Sequence, residues 1–433
     1  MCFSLLREPV FYSSCHFFLS TSHHSRMQKK QRNARLAWLL SASAIAASAT
    51  FTACSEDAVQ PSQAGVSQSS DAKSDADVIP GQYIVVLKDG AVELSEGEPY
   101  TQKIKKVKEV GQGILKARGA SADALGFAYG HALKGFSAKL SAAEAKALRE
   151  DARVAYVEAD KVISLGKPAG GGGTTQPAQV TPYGIARVGT GDGTGKTAWI
   201  IDTGIDLTHP DLNVDVARSK SFLTSGANYA SPNDGNGHGT HVSGTIAAKN
   251  NSIGVVGVAA NASVVAVRVL DSRGSGSNSG VIAGVDYVGA NGKAGDVANM
   301  SLGGGVSQAL DDAVLRASAG GVLFALAAGN ETDDANNHSP ARVNGANIFT
   351  ISAMNNTDTW ASFSNFGNPP VDYCMPGVNI QSTWMGGGYN TISGTSMATP
   401  HMAGVLLMRG KNFTTSGTVK NDPDGNADTI AHL

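Results

Sequence analysis

Three side chains in this sequence could together make a nucleophile. Ser396 lies in Thr391-Ile-Ser-Gly-Thr-Ser-Met-Ala-Thr-Pro-His401. A small approach (Ser393, Gly394, Thr395) leads into an apolar run from Met397 to Leu407, broken only by Thr399-Pro400-His401. That pattern presents a serine at the start of a buried helix, with Pro400 in the first turn, where amides lack intrahelical partners. His238 stands where the small-residue loop Asn236-Gly-His-Gly-Thr-His-Val242 enters a helix, and Asp202 ends the apolar strand of Ile200-Ile-Asp-Thr-Gly-Ile-Asp206. A hydroxyl attacks a carbonyl only if a neighbouring base takes its proton, and that base needs a third group to hold its tautomer. In this reading Ser396 is the nucleophile, His238 the base and then the acid, and Asp202 the orienting carboxylate.

The attack creates an oxyanion, which needs donors set in advance. Asn330 follows Gly329 at the end of the apolar strand Val322 to Ala328. Its side-chain amide and the Ser396 backbone amide are the expected pair. A turn is the ordinary role of a Gly-Asn step, and the companion blocks favour the functional one. His241, three residues past His238, has no HExxH setting and is expected to pack inside its helix.

These residues need a scaffold that brings strand ends and helix starts together. From Pro182 onward, apolar strands (198–201, 263–270, 297–301, 322–328, 347–353) alternate with helices (from His241 to Ala248, 280–290, 307–318). The pattern predicts an α/β domain over 182–433, a mostly parallel sheet with helices on both faces and functional residues at the strand ends. Residues 80–165 read differently. Strands at 82–87, 127–131, 136–140 and 154–159 surround helices at 101–117 and 141–151, the second opened by the capping box Ser141/Glu144. The order β-α-β-β-α-β predicts a small α+β ferredoxin-like unit.

Between the two, residues 166–181 hold Gly170-Gly-Gly-Gly173 and two prolines, a linker suited to cleavage near Leu165. Residues 55–79 are rich in Ser, Asp, Gln and Ala and read as a disordered tether. Upstream, Met27 opens a positive head (Lys29, Lys30, Arg32, Arg35) followed by an apolar run from Leu36 to Ala53. The pattern reads as a secretory signal over 27–54, with Met27 the expected true start. Its end, Phe51-Thr52-Ala53-Cys54, resembles a bacterial lipoprotein cleavage site and makes Cys54 a candidate for lipidation; an ordinary signal peptide is the alternative.

The whole chain has 433 residues and a formal net charge of −2, so no polyanionic partner such as nucleic acid is implied. Its 52 glycines suit a fold with many tight turns, and Cys374, one of four cysteines, follows the apolar turn residues Val371-Asp372-Tyr373 and reads as a buried free thiol. Gly191 to Thr197 imitates a phosphate loop, but Thr190 stands where a glycine is required and the loop precedes its strand. Asp422 to Asp428 imitates a calcium loop with a misplaced glycine and no closing glutamate, and reads as a solvated turn.

Five blocks in this order resemble the subtilisin-like serine peptidases, most closely the proteinase K branch: those around Asp202, His238 and Ser396, together with Asn299-Met-Ser-Leu-Gly-Gly304 and Ala327-Ala-Gly-Asn330. The order Asp, His, Ser is itself the known subtilisin order. The resemblance covers about 176–410 and implies a serine endopeptidase made as a zymogen, with no cofactor in catalysis. It makes the 80–165 unit an inhibitor-type propeptide that assists folding and then lies across the active site. A peptide substrate is held as an added strand. By resemblance, Ser301, Leu302 and Gly303 form one edge of the cleft and Gly274, Ser275 and Gly276 the other, while Ala327, Ala328 and Gly329 wall the primary pocket. Those small, uncharged walls imply apolar or aromatic preference. Asn278 stands where proteinase K has a tyrosine, which implies looser selection further along the cleft. Asp372 matches the carboxylate of a structural calcium site whose other ligands are backbone carbonyls.

Two other readings share these residues. A non-catalytic peptide-binding protein would use the fold and the cleft without turnover. An esterase would use the chemistry, but Gly394-Thr-Ser-Met-Ala398 lacks the Gly-x-Ser-x-Gly elbow.

Overall fold

The computed structural model describes residues 77–165, 172–173 and 176–433. The leader with Cys54, the tether up to residue 76, and linker residues 166–171 and 174–175 lie outside them.

The N-terminal unit runs β1 (Val78–Leu87), α1 (Tyr100–Ala117), β2 (Leu125–Tyr129), β3 (Gly135–Lys139), α2 (Ala142–Arg149) and β4 (Val154–Ser164). Its strands lie in the order β4-β1-β3-β2, antiparallel throughout. Helix α1 buries Val107, Gly111, Ile114 and Leu115, one stripe at helical spacing, against a core holding Val85, Phe136 and Leu148. The capping box of α2 forms, with the Glu144 amide donating to Ser141 Oγ at 3.2 Å and the Ser141 amide to Glu144 Oε2 at 2.7 Å. Strand β4 runs five residues beyond its expected end at Ala159, because Val162, Ile163 and Ser164 find partners outside the unit.

The larger body continues with β5 (Thr197–Asp202), α3 (His238–Ala247), β6 (Ser263–Arg268), β7 (Ser275–Ser277), α4 (Asn278–Asn291), β8 (Val297–Met300), α5 (Gln308–Ser318) and β9 (Leu323–Ala327). It is completed by β10 (Ile348–Met354), β11 (Val371–Pro376), β12 (Ile380–Trp384), β13 (Gly388–Ile392), α6 (Thr395–Arg409), β14 (Thr414–Thr418) and β15 (Thr429–His432). The main sheet has the order β14-β15-β11-β10-β9-β8-β5-β6, parallel except for the β14–β15 pair.

Side chains of β5 alternate between two cores, as strand geometry requires. Ala198 and Ile200 face α3 and α6, packing with Val242, Ile246, Met402 and Val405. Trp199 and Ile201 face α4 and α5, packing with Val281, Val285, Leu310 and Val314. The sheet is covered on both faces. The chain leaves β5 for β6 on one side and later enters β8 on the other, so the C-terminal ends of β5 and β8 flank a crossover point, where such sheets place their clefts.

Three expectations need correction. Helix α6 begins at Thr395, so Pro400 lies in its second turn and not its first. The missing proline N–H would face the Ser396 carbonyl, and that carbonyl instead accepts the Ser301 hydroxyl at 2.9 Å. Val371, Asp372 and Tyr373 belong to strand β11 and not to a turn, since β10 and β15 pair on both sides of it. The 422–428 loop is not simply solvated: Asp428 is buried and accepts from Ser352 Oγ and from Asn368 Nδ2, which fastens the tail to the sheet.

Candidate active site

Asp202 closes the central strand β5 with its side chain fully buried, and its Oδ1 accepts the Thr203 amide at 2.7 Å. His238 opens α3 after Gly237, whose φ of 106° suits a residue without a side chain. Any Cβ there would also strike the Trp384 ring. His238 Nδ1 lies 2.9 and 3.0 Å from the two oxygens of Asp202, which leaves Nε2 as the free ring nitrogen. Ser396 is the second residue of α6, and its hydroxyl donates to the Ser301 carbonyl at 3.1 Å. No hydrogen bond joins Ser396 to His238 among the described residues.

Asn330 stands opposite the start of α6. Its Oδ1 accepts from the Thr395 amide (2.8 Å) and the Thr395 hydroxyl (3.0 Å). Both lone pairs are thereby used and Nδ2 is turned the other way. The Ser396 amide lies in the first helical turn, where no carbonyl precedes it to accept. An arrangement of this kind offers a charged oxygen two neutral donors.

A pocket beside these groups is lined by Leu302, Gly303, Ala327, Ala328, Gly329 and Ser396. Its lining also includes Glu331 and His338, which corrects the expectation of uncharged walls. Glu331 Oε2 accepts the Asn330 amide (2.8 Å) and Asn365 Nδ2 (2.7 Å), and His338 Nε2 lies 3.2 Å from Asp333 Oδ2. The signal was present in the residues that follow Asn330, but nothing in their spacing told which would turn inward.

The two cleft edges are held by the N-terminal unit itself. Strand β4 lies antiparallel to β7, pairing Ser164 with Ser275, Ile163 with Gly276 and Val162 with Ser277. On its other side the Ser164 amide donates to the Gly303 carbonyl at 3.4 Å, while the Leu165 amide continues the β7 side by donating to the Gly274 carbonyl at 2.9 Å. The segment Ser301 to Gly303 therefore faces Gly274 to Gly276 across an inserted strand. Asn278, at the first residue of α4, is buried with its Nδ2 unpartnered.

Carboxylates fasten this contact. Asp286 on α4 is fully buried and accepts the amides of Gly130 (2.9 Å), His131 (2.8 Å) and Ala132 (2.6 Å), with the Tyr100 hydroxyl at 3.0 Å. In the other direction, Asp160 accepts the Ser279 amide at 3.1 Å, and Glu158 accepts the Ala309 amide at 3.0 Å. Asp160 and Glu158 thereby each cap a first-turn amide at a helix start, those of α4 and α5.

The other histidines of the core are structural. Burial pushes His241 down to about 3 and His401 down to about 4, and each donates a ring N–H to a backbone carbonyl, His241 Nε2 to Ile380 and His401 Nδ1 to Met397, both at 2.9 Å. Cys374 is a free buried thiol, pushed up by burial. Among the described residues, no group of three or more His, Cys, Asp or Glu is arranged to hold a metal. Asp372 is a lone carboxyl on β11, pushed up to about 6 by burial and partly offset by the Thr350 amide at 2.8 Å.

Comparison with known proteins agrees with this geometry. Residues 193–416, just over half the chain, match the Subtilase family (peptidase S8), and residues 82–166 match Peptidase inhibitor I9. The alkaline serine exoprotease A of Vibrio alginolyticus is 43% identical over 345 residues, covering 76% of this chain and 60% of that protein. The extracellular serine proteinase of Thermus sp. (strain Rt41A) is 40% identical over 347 residues, covering 77% of this chain and 80% of its own. A crystal structure of a cold adapted subtilisin-like serine proteinase superposes with a TM-score of 0.51 at 41% identity, over 58% of this chain and 97% of that one. With its inhibitor-type propeptide in front of the matched peptidase domain, the chain belongs to the subtilase family of serine proteases.

Proposed function

We propose that the protein is an endopeptidase made as a zymogen, with Ser396, His238 and Asp202 as its triad. The observation that carries this reading is the double contact of His238 Nδ1 with buried Asp202, which fixes the tautomer and leaves Nε2 to act as base. When a peptide carbonyl arrives, the Ser396 hydroxyl turns from the Ser301 carbonyl toward His238 and attacks. Its proton moves to Nε2, and the new oxyanion sits between Asn330 Nδ2 and the Ser396 amide. Collapse breaks the carbon–nitrogen bond, and His238 gives its proton to the leaving amine. Water then repeats the sequence on the acyl-enzyme, and Ser396 is released with its proton restored.

The substrate enters as a strand between Gly274–Gly276 and Ser301–Gly303, as β4 does in the zymogen. Ala327, Ala328 and Gly329 suit an apolar or aromatic residue before the scissile bond. Glu331 extends that preference to long basic side chains, whose stems lie on the alanines while the charge meets the carboxylate. The 80–165 unit acts as an intramolecular chaperone and inhibitor, removed by cleavage in the 166–181 linker. A structural calcium fits Asp372, a β11 carboxyl with no cation beside it among the described residues, with backbone carbonyls completing the oxygen set.

For localisation, one relative is by name an extracellular serine proteinase. No described helix is long and apolar enough to cross a membrane. Secretion through the 27–54 leader, with a lipid anchor at Cys54, rests on the sequence.

The test is fluorophosphonate labelling of purified protein beside Ser396→Ala, with mass read on the same sample. The expected result is labelling of wild type only, on a species that has lost the first ~165 residues. A folded, processed wild type that takes no label rejects the peptidase reading in favour of a peptide-binding one.

A further inference from the structure

Asp234 lies four residues before His238, in the loop that leads into α3, and its side chain is buried. Gly237, the residue that precedes the helix, has no side chain to cap it. Asp234 does that work from a distance. Its Oδ1 accepts the amides of Asn236 and Gly237, each at 2.9 Å, and its Oδ2 accepts the Thr240 amide at 3.0 Å and the Thr240 hydroxyl at 2.6 Å.

A fifth bond leads elsewhere. The Thr203 hydroxyl donates to Asp234 Oδ1 at 2.9 Å and accepts the Gly239 amide at 3.0 Å. Thr203 follows Asp202 directly, and its amide donates to Asp202 Oδ1 at 2.7 Å. One buried carboxylate therefore joins the end of β5, which carries Asp202, to the first turn of α3, which carries His238. The position also has an electrostatic meaning. His238 is the first residue of its helix, at the positive end of the helix dipole, where an imidazolium is disfavoured. A carboxylate among the same amides opposes that field.

We propose that Asp234 is a positioning residue for the proposed triad: it clasps the Asp202 strand to the His238 helix and offsets the helix-terminus field that would otherwise oppose the imidazolium formed in catalysis. This inference rests on the triad reading above. Other charged groups face the same place. On β5 there is Asp202, and in the loop after it Asp206, whose amide donates to Thr240 Oγ1 at 2.9 Å. On β6, buried Arg268 is held by the carbonyls of Asn228 and Ser231 and feels the charge of Asp234, as it does that of Asp271. His241 on α3 itself and His401 on α6 are kept neutral by burial. Strand β12, also packed on α3, brings no charge.

The experiment compares kcat/KM against pH for processed wild type, Asp234→Asn, Asp234→Ser and Thr240→Val. Serine keeps a capping oxygen without charge, so one folded variant suffices if the other fails. Thr240→Val keeps the charge but removes one of its hydrogen bonds. The expected result is an acid limb moved down by about 0.5 pH unit in both Asp234 variants, with kcat reduced at the plateau and KM little changed. Thr240→Val is expected to lower the unfolding temperature without moving the limb. An acid limb that stays in place in a folded Asp234 variant overturns the proposal. So does an equal displacement in Thr240→Val, since the effect would then be structural. A processed wild type that is not labelled at Ser396 instead removes the triad reading, and this inference with it.

Discussion

The Ser301 hydroxyl donates to the Ser396 carbonyl at 2.9 Å, and Ser396 returns its own hydroxyl to the Ser301 carbonyl at 3.1 Å. The end of β8 and the start of α6 are thus joined twice, and the first bond exists because Pro400 supplies no amide. Asn299 Nδ2 supports it from below, donating to Ser301 Oγ at 2.8 Å. Removing the hydroxyl with Ser301→Ala leaves a buried carbonyl unpaired, at a cost of about 1–3 kcal/mol. We expect the urea midpoint to fall and kcat to drop about tenfold as the helix of the proposed nucleophile loses its anchor. Unchanged kcat in a destabilised variant would separate the two effects and reject the anchoring role.

Glu331 adds a carboxylate to the lining of the pocket proposed to take the residue before the scissile bond. With Glu331→Gln, kcat/KM for peptides with lysine before the scissile bond should fall relative to those with phenylalanine, by about 3–10-fold for a half-exposed carboxylate. A Lys/Phe ratio equal to that of wild type would show that Glu331 serves only to hold Asn330 and Asn365.

Asp286 makes its bonds to amides of the propeptide turn Gly130 to Ala132, so its contribution belongs to the inhibitor and not to turnover. Bonds to a charged acceptor contribute about 1.5–3 kcal/mol. The inhibition constant of the 80–165 propeptide, added in trans to processed Asp286→Ala enzyme, should rise by about 10–100-fold while kcat on a small substrate is kept. An unaltered inhibition constant would count against this interface.

Asp372 links the calcium proposal to pH. Burial raises its carboxyl to about 6 in the folded protein, against ~3.9 when unfolded. Between those values the folded state holds more protons, so its contribution to stability declines as pH rises from about 4 to 6. Asp311 and Asp422, each raised to about 6 by burial, act in the same direction, so the informative quantity is the difference between wild type and Asp372→Asn. Without calcium, the variant should lose less stability over that interval. At pH 8, millimolar calcium should raise the unfolding temperature of wild type and not of the variant. Equal calcium responses would place the ion elsewhere.

Much of this was legible in the sequence because the local signals were strong and mutually consistent. The ends of β5 and β9 could be read from apolar runs meeting Asp202 and Gly329-Asn330, and the α2 cap from Ser141 and Glu144. What escaped reading depended on partners far along the chain. Val371 to Tyr373 look like a turn until β10 and β15 flank their strand. Pro400 looks like a first-turn proline until Ser301 is seen to serve the carbonyl it frees. Asp234 resembles any loop aspartate, since its meaning comes from Thr203, thirty-one residues away. Val162 to Ser164 give no sign of continuing β4, because the strand that extends them belongs to the other unit.

The pairing of β4 with Ser275–Ser277 also bears on time. Hydrolysis of the linker cuts the chain but does not vacate the cleft, because the freed segment still occupies the edge proposed for the substrate. Activity after processing is therefore expected to begin with a lag set by dissociation of the segment. Each molecule that clears its own edge can then digest segments shed by others, so the lag shortens as concentration rises. Onset should be sigmoidal, with a population that stays silent at first and then switches on together.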